Sequence, residues 1–141
     1  MLRWPPESMT DLVFFYGTLM SGFKRPGRAR IDRHLTSEGR GRISASLFDL
    51  GIYPAAIPAS DSYVWGEVHR MTDVDAVLTA LDEIEGYRPS EPDHSLYTRV
   101  ETPVTLDNGD VAMAWAYFYN APLGRAHRIP SGDYLEYLKV R

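Results

Sequence analysis

Glu85 occupies the position in this chain that most invites chemistry. Residues 73–85 carry Val74, Val77, Leu78, Leu81 and Ile84 at helical spacing, which predicts a helix with one apolar stripe. At about 100° per residue the stripe centres near Leu81, Leu78 and Val74. Glu85 stands four residues after Leu81 and seven after Leu78, so it falls on the stripe. Glu83 points nearly opposite, and Asp82 sits at the stripe's edge. A carboxylate on a buried face is uncommon unless paired. This one also lies at the helix C-terminus, where the helix dipole disfavours negative charge. Burial and dipole both raise a carboxyl pKa, toward the range of a general acid/base near neutral pH. The alternative is a frayed last turn that lets Glu85 swing into solvent.

A second candidate is Tyr16-Gly17-Thr18-Leu19-Met20. An apolar run ends abruptly in Gly and Thr, and N–H groups released at a strand end can converge on an anion as a small nest. A plain strand-to-loop turn has the same sequence. Tyr53, Tyr87, Tyr97, Tyr117 and Tyr119 offer apolar rings with one polar tip, useful in a small-ligand pocket; half-buried packing is the other use of such residues. Seven of the 15 Lys and Arg residues fall between Lys24 and Arg42, against two acids. That run either attracts an anion or forms a solvated loop. His34, His69, His94 and His127 are scattered without metal-ligand spacing. Neither a G-x-S-x-G elbow nor a P-loop occurs.

These groups need elements to hold them. Leu12–Tyr16 is continuous, aromatic and β-branched, and Gly17 stops it, as expected of a buried central strand. Residues 21–42 lack periodicity and suggest a loop or a short helix. Ile43–Phe48 is a predicted strand running into a loop over Asp49–Pro58, punctuated by Gly51, Pro54 and Pro58. Tyr63–His69 alternates, with Val64, Gly66 and Val68 on one face and Tyr63, Trp65, Glu67 and His69 on the other. Gly66 there allows close approach of another backbone. Thr72 with Asp75 resembles a capping box for the helix, and Gly86 suits its end. Asn108-Gly109 joins predicted strands Tyr97–Leu106 and Val111–Tyr119 as a hairpin. The tail from Ile129 to Leu138 is expected to close as a short helix. Strands, one helix and more strands, without βαβ alternation, point to an α+β fold.

The chain has 141 residues, which favours one domain, expected over residues 11–141 after a loose lead-in at 1–10, with Met9 an alternative start. Fifteen basic against 19 acidic residues give a net charge of -4, which argues against a nucleic-acid binder. The absence of cysteine removes disulfides, thiolate metal sites and cysteine nucleophiles. No apolar run approaches the roughly 18 residues of a membrane helix, and the N-terminus lacks the apolar core of a signal peptide. A cytoplasmic protein with no membrane association is expected.

Taken in order, five segments resemble the γ-glutamylcyclotransferase-like, or AIG2-like, superfamily. Tyr16-Gly17-Thr18-Leu19 resembles its Y-G-[ST]-L signature, and Gly51-Ile52-Tyr53-Pro54 its G-x-[YF]-P loop. Val64-Trp65-Gly66-Glu67-Val68 is similar to V-x-G-E-[VL]. Leu81-Asp82-Glu83-Ile84-Glu85-Gly86 is similar to L-D-x-x-E-G, and Tyr97-Thr98-Arg99 to the Y-x-R that follows. The resemblance covers about residues 12–137, with a tail, Ser131–Tyr134, like that of small bacterial members. It implies a compact mixed β-barrel flanked by a few helices, with a cavity at its mouth. It implies a small-molecule γ-glutamyl substrate, cyclised to 5-oxoproline with release of an amine or amino acid. Backbone amides of Tyr16, Gly17, Thr18 and Leu19 would hold the substrate carboxylate, and Glu85 would be the acid/base. Tyr53 and Pro54 would shape the opposite wall, and Tyr97 would hydrogen-bond substrate or Glu85. No metal or cofactor is implied. The same fold would also serve a non-catalytic binding protein or a γ-glutamyl amide hydrolase. An insertion at Arg88–Leu96 is a possible lid, and the sequence is silent on oligomeric state.

Overall fold

The computed structural model describes residues 10–23 and 25–140. Its elements in chain order are β1 (Leu12–Phe15), α1 (Pro26–Ala29), β2 (Leu35–Asp49), β3 (Pro54–Met71), α2 (Val74–Glu85), β4 (Tyr97–Leu106), β5 (Val111–Tyr119), β6 (His127–Ile129) and α3 (Tyr134–Val140). Single 3-10 turns sit at Asp32–His34 and Pro92–His94.

Five strands close on themselves in the order β3-β1-β5-β4-β2, and β2 pairs back with β3. Only the β1–β5 pairing is parallel; the others are antiparallel, so the barrel is mixed. β6 adds to the far end of β2. Closure depends on β2 and β3 being long and bent. Their register shifts between Ser37 and Gly39 and again between Ser44 and Ala45, and such bulges sharpen strand twist at barrel corners. The buried core takes in both faces of the sheet: Phe14, Val64, Val68 and Val104 are among its members, and Val13 and Leu81 of α2 belong to the same cluster. Gly66 lies so close to β1 that a Cβ there would stand 2.2 Å from the Phe15 carbonyl oxygen. The close approach expected from its place in the strand is present.

Several expectations hold. β1, α2 and the hairpin strands β4 and β5 stand where the pattern places them, within a residue at each boundary for β1 and α2. The tail helix expected from Ile129 begins only at Tyr134, because His127–Ile129 pairs with β2 as β6. Others need correction. The strand predicted at Ile43–Phe48 begins at Leu35. The segment Leu35–Arg42 carries little apolar patterning because much of it is solvent-exposed, and its strand state comes from pairing with β3. The loop predicted over Asp49–Pro58 is confined to 50–53, since Pro54 opens β3 and Pro58 sits at the bulge, the positions a sheet tolerates for proline. The cap of α2 is Asp73, whose carboxylate accepts from the Ala76 amide at 3.2 Å, not Thr72. His69, on the outer face of its strand, is buried against Phe15 and bonded to Glu67 at 3.1 Å. The expected lead-in lies outside the described residues except for Thr10. No helix among the described residues is long and apolar enough to cross a membrane.

Candidate active site

β1 delivers its last residues to one mouth of the barrel, and α2 ends beside it. Between them lies a cavity of about 170 Å³. Its walls include Tyr16, Gly17, Thr18 and Leu19 from the end of β1, Tyr53 and Pro54 from the β2–β3 turn, Glu85 from α2 and Tyr97 from β4. The residues singled out from sequence therefore share one space. Arg25, Ile84, Leu96 and Tyr117 join them.

Glu85 is held there by the way α2 ends. Gly86 adopts a left-handed φ of 70°, open to glycine at little cost. The Tyr87 amide then donates to the Asp82 carbonyl at 2.8 Å. The last turn is thus closed rather than splayed, and the Glu85 side chain is only 14% exposed. Burial pushes its carboxyl up to about 7, and the Arg25 guanidinium pulls the other way. Glu83 points out to solvent and pairs with Arg30 at 2.9 Å.

The phase of α2 is fixed by a buried polar network. Asp82 accepts from Arg99 Nε at 2.9 Å and from its second terminal nitrogen at 3.2 Å. The Tyr117 hydroxyl donates to the same carboxylate at 2.6 Å. The Tyr117 carbonyl in turn accepts from the Tyr16 hydroxyl at 2.7 Å, and that hydroxyl accepts from the Ala56 amide at 3.3 Å. α2, β1, β3, β4 and β5 are tied together directly behind the cavity. Each bond is a charge-assisted or buried one, the kind whose loss is costly. Desolvation keeps the hydroxyls of Tyr16, Tyr97 and Tyr117 above their ordinary pKa, so all three remain donors.

Facing Glu85, the chain leaves β1 through a turn in which the Met20 amide donates to the Gly17 carbonyl at 3.0 Å. The amides of Gly17, Thr18 and Leu19 have no acceptor among the described residues. Gly17 is required here, because a Cβ would meet Pro54 at 2.7 Å. Ser21 closes the turn by donating its amide to Glu67 at 2.8 Å, and an Arg28 terminal nitrogen donates to the Leu19 carbonyl. The Tyr97 hydroxyl donates to the Pro54 carbonyl at 3.1 Å. Its proton is therefore committed to holding the opposite wall, and it keeps acceptor capacity toward the cavity.

Sequence reasoning missed Arg25. Its guanidinium donates to Thr18 Oγ1 at 2.9 Å, lies 3.8 Å from Glu85 Oε1 and stacks 4.9 Å from the Tyr53 ring centre. The basic run from Lys24 to Arg42 held the signal but not the choice. Of its other described members, Arg28 reaches the Leu19 carbonyl behind the turn, Arg30 goes to Glu83, and Arg40 and Arg42 lie over Trp65 and Tyr63. The insertion expected as a lid is a tethered turn. The Ser95 hydroxyl accepts from the Arg88 amide at 2.8 Å, and Asn120 Nδ2 donates to the Pro92 and Ser95 carbonyls. It contributes Leu96 to the cavity rim. Among the described residues no cluster of three or more His, Asp or Glu converges as metal ligands do.

Residues 13–136 match the family described as gamma-glutamyl cyclotransferase, AIG2-like. The chain belongs to this family. It is 28% identical over 128 residues to a candidate gamma-glutamylcyclotransferase of Methanocaldococcus jannaschii, covering 90% of this chain and 98% of that protein. It is 34% identical over 90 residues to the gamma-glutamylcyclotransferase family protein YtfP of Escherichia coli, covering 64% of this chain and 67% of that one. The solution structure of the Escherichia coli protein superposes with a TM-score of 0.63 at 28% identity, covering 89% of this chain and 97% of that chain. The crystal structure of YkqA from Bacillus subtilis gives a TM-score of 0.69 at 25% identity. That alignment covers 94% of this chain but only 42% of the longer YkqA chain.

Proposed function

We propose that this protein cyclises a γ-glutamyl compound to 5-oxoproline and releases the amine or amino acid, with Glu85 as the acid/base. The observation that carries the reading is a carboxyl only 14% exposed in a cavity whose other side is the Gly17–Met20 turn, with burial pushing its pKa up to about 7. Family membership and the fold are consistent with it.

In this reaction the substrate's own α-amine attacks its γ-carbonyl. The Nα–Cδ bond forms, the bond from Cδ to the leaving nitrogen breaks, and no water is consumed. No enzyme nucleophile is required, in keeping with a chain that has no cysteine. Glu85 takes the proton lost by the α-ammonium and returns it to the leaving nitrogen. A group that must do both works best with a pKa near the working pH. The amides of Gly17, Thr18 and Leu19 hold the α-carboxylate, as released backbone donors do. Tyr53, Pro54 and Tyr97 close the opposite wall, so the chain's main contribution is to fold the substrate into a near-attack geometry.

The test is product identity. The protein is incubated with γ-glutamyl dipeptides, γ-glutamyl-ε-lysine and glutathione, and the products are read by mass spectrometry. Cyclisation yields 5-oxoproline, whereas hydrolysis yields glutamate. An N-acetylated γ-glutamyl substrate separates the two again, because its amine is blocked: a cyclase leaves it intact and a hydrolase cleaves it. Glutamate as the product, or cleavage of the blocked compound, refutes the proposal.

A further inference from the structure

We propose that Arg25 selects substrates whose leaving amine carries an α-carboxylate, by hydrogen-bonding that carboxylate at the cavity mouth. The inference rests on the cyclisation reading of the same site and adds the class of leaving group.

Among the described residues, Arg25 is the sole cation lining the cavity. Its bonds there leave it underused. One terminal nitrogen donates to Thr18 at 2.9 Å, and the other reaches the Ile84 carbonyl only at 3.4 Å. Its distance of 3.8 Å from Glu85 is too long for a hydrogen bond. Its Nε–H has no acceptor among the described residues. A guanidinium presents five donors in a rigid fork suited to a carboxylate. This fork is also fixed in place, by the Thr18 hydroxyl on one side and the Tyr53 ring beneath it, so little freedom is lost when a ligand arrives.

Position decides which carboxylate it reads. Glu85 must reach the leaving nitrogen to return the proton, at a hydrogen-bond distance of about 2.9 Å. In an α-amino acid the carboxylate carbon lies about 2.5 Å from that nitrogen. A cation 3.8 Å from Glu85 is therefore within reach of it. The substrate's other carboxylate, on the glutamyl part, has its own donors in the amides of residues 17–19. Two separate donor sets match a substrate with two carboxylates, as in a γ-glutamyl α-amino acid. A γ-glutamyl alkylamine lacks the second carboxylate. In a γ-glutamyl-ε-lysine isopeptide it is displaced by the whole side chain.

The test compares γ-glutamylglycine with γ-glutamylmethylamide, which differ by that carboxylate alone. 5-Oxoproline formation is measured for the full chain as wild type, Arg25→Gln and Arg25→Lys. The wild type is expected to favour γ-glutamylglycine by about tenfold or more in kcat/KM, chiefly through KM, the scale of one charge-assisted contact. Arg25→Gln brings the ratio close to one, and Arg25→Lys retains part of it. Removing Arg25 also alters Glu85, but that effect falls on both substrates and cancels in the ratio. A wild-type ratio near one overturns the inference. So does an equal fall for both substrates, which assigns Arg25 to the glutamyl end or to Glu85 alone. If neither compound yields 5-oxoproline, calorimetric titration of the same two compounds gives the same ratio for binding. A carboxylate preference that Arg25→Gln abolishes then keeps the inference and refutes only cyclisation. Equal binding, or none, overturns the inference.

Discussion

Glu85→Gln is expected to stabilise the protein above pH 7 and to leave it nearly unchanged near pH 4.5. The native carboxyl is displaced from 4.5 to about 7 by burial, so the folded state binds its proton more tightly than the unfolded chain does. Stability from this group is therefore complete below pH 4.5 and is lost as pH rises through 7. At 1.36 kcal/mol per pKa unit, the ionised carboxylate costs the fold about 3 kcal/mol. Glutamine has the same shape and never ionises. The pull of Arg25, 3.8 Å away, is already contained in the value of about 7. The net gain at pH 8 is therefore about 3 kcal/mol, or roughly 10 °C in Tm for a chain of this size. Calorimetric melting of both proteins at pH 5, 6, 7 and 8 reads it directly. The difference in Tm between variant and wild type should grow across that series. A difference independent of pH, or a wild type more stable than the variant at pH 8, refutes the claim that Glu85 is buried with a raised pKa.

Three other outcomes follow from the same geometry. The acid side of the pH profile of kcat/KM should rise through about 7, where Glu85 becomes a base; a limb near 4.5 would mean a solvated carboxylate. Asp82→Ala strips the partner from a half-buried Arg99 and from the Tyr117 hydroxyl, and urea unfolding should register a loss of about 2–3 kcal/mol. Gly66→Ala places a methyl 2.2 Å from the Phe15 carbonyl; it should prise β1 from β3 and lower Tm by more than about 10 °C, the scale of overpacking at an unyielding backbone contact.

Much of the site was legible because its parts are local. Helix phase alone put Glu85 on the apolar face and Glu83 opposite, and the Gly17 and Gly86 breaks marked where β1 and α2 release their ends. The motif order then supplied the fold. What escaped notice depends on long-range pairing. Leu35–Arg42 is polar and nearly aperiodic, and it is a strand because β3 lies beside it. Pro54 and Pro58 read as loop residues until the strand start and the bulge that tolerate them are known. Arg25 was one basic residue among seven in its run, and only the tertiary fold brings it to Thr18 and Glu85, the latter 60 residues away in sequence. Asp82 sat at the edge of the helical stripe, with no local sign of the Arg99 and Tyr117 that bury it.

The most direct measurement of the central claim is 5-oxoproline production from γ-glutamyl dipeptides at pH 7.5 by wild type, Glu85→Gln and Glu83→Gln, each shown to be folded by its melting transition. Turnover by wild type, a loss of at least about a hundredfold in Glu85→Gln, and near-wild-type activity in Glu83→Gln are the results expected. Equal turnover by wild type and Glu85→Gln would contradict the account.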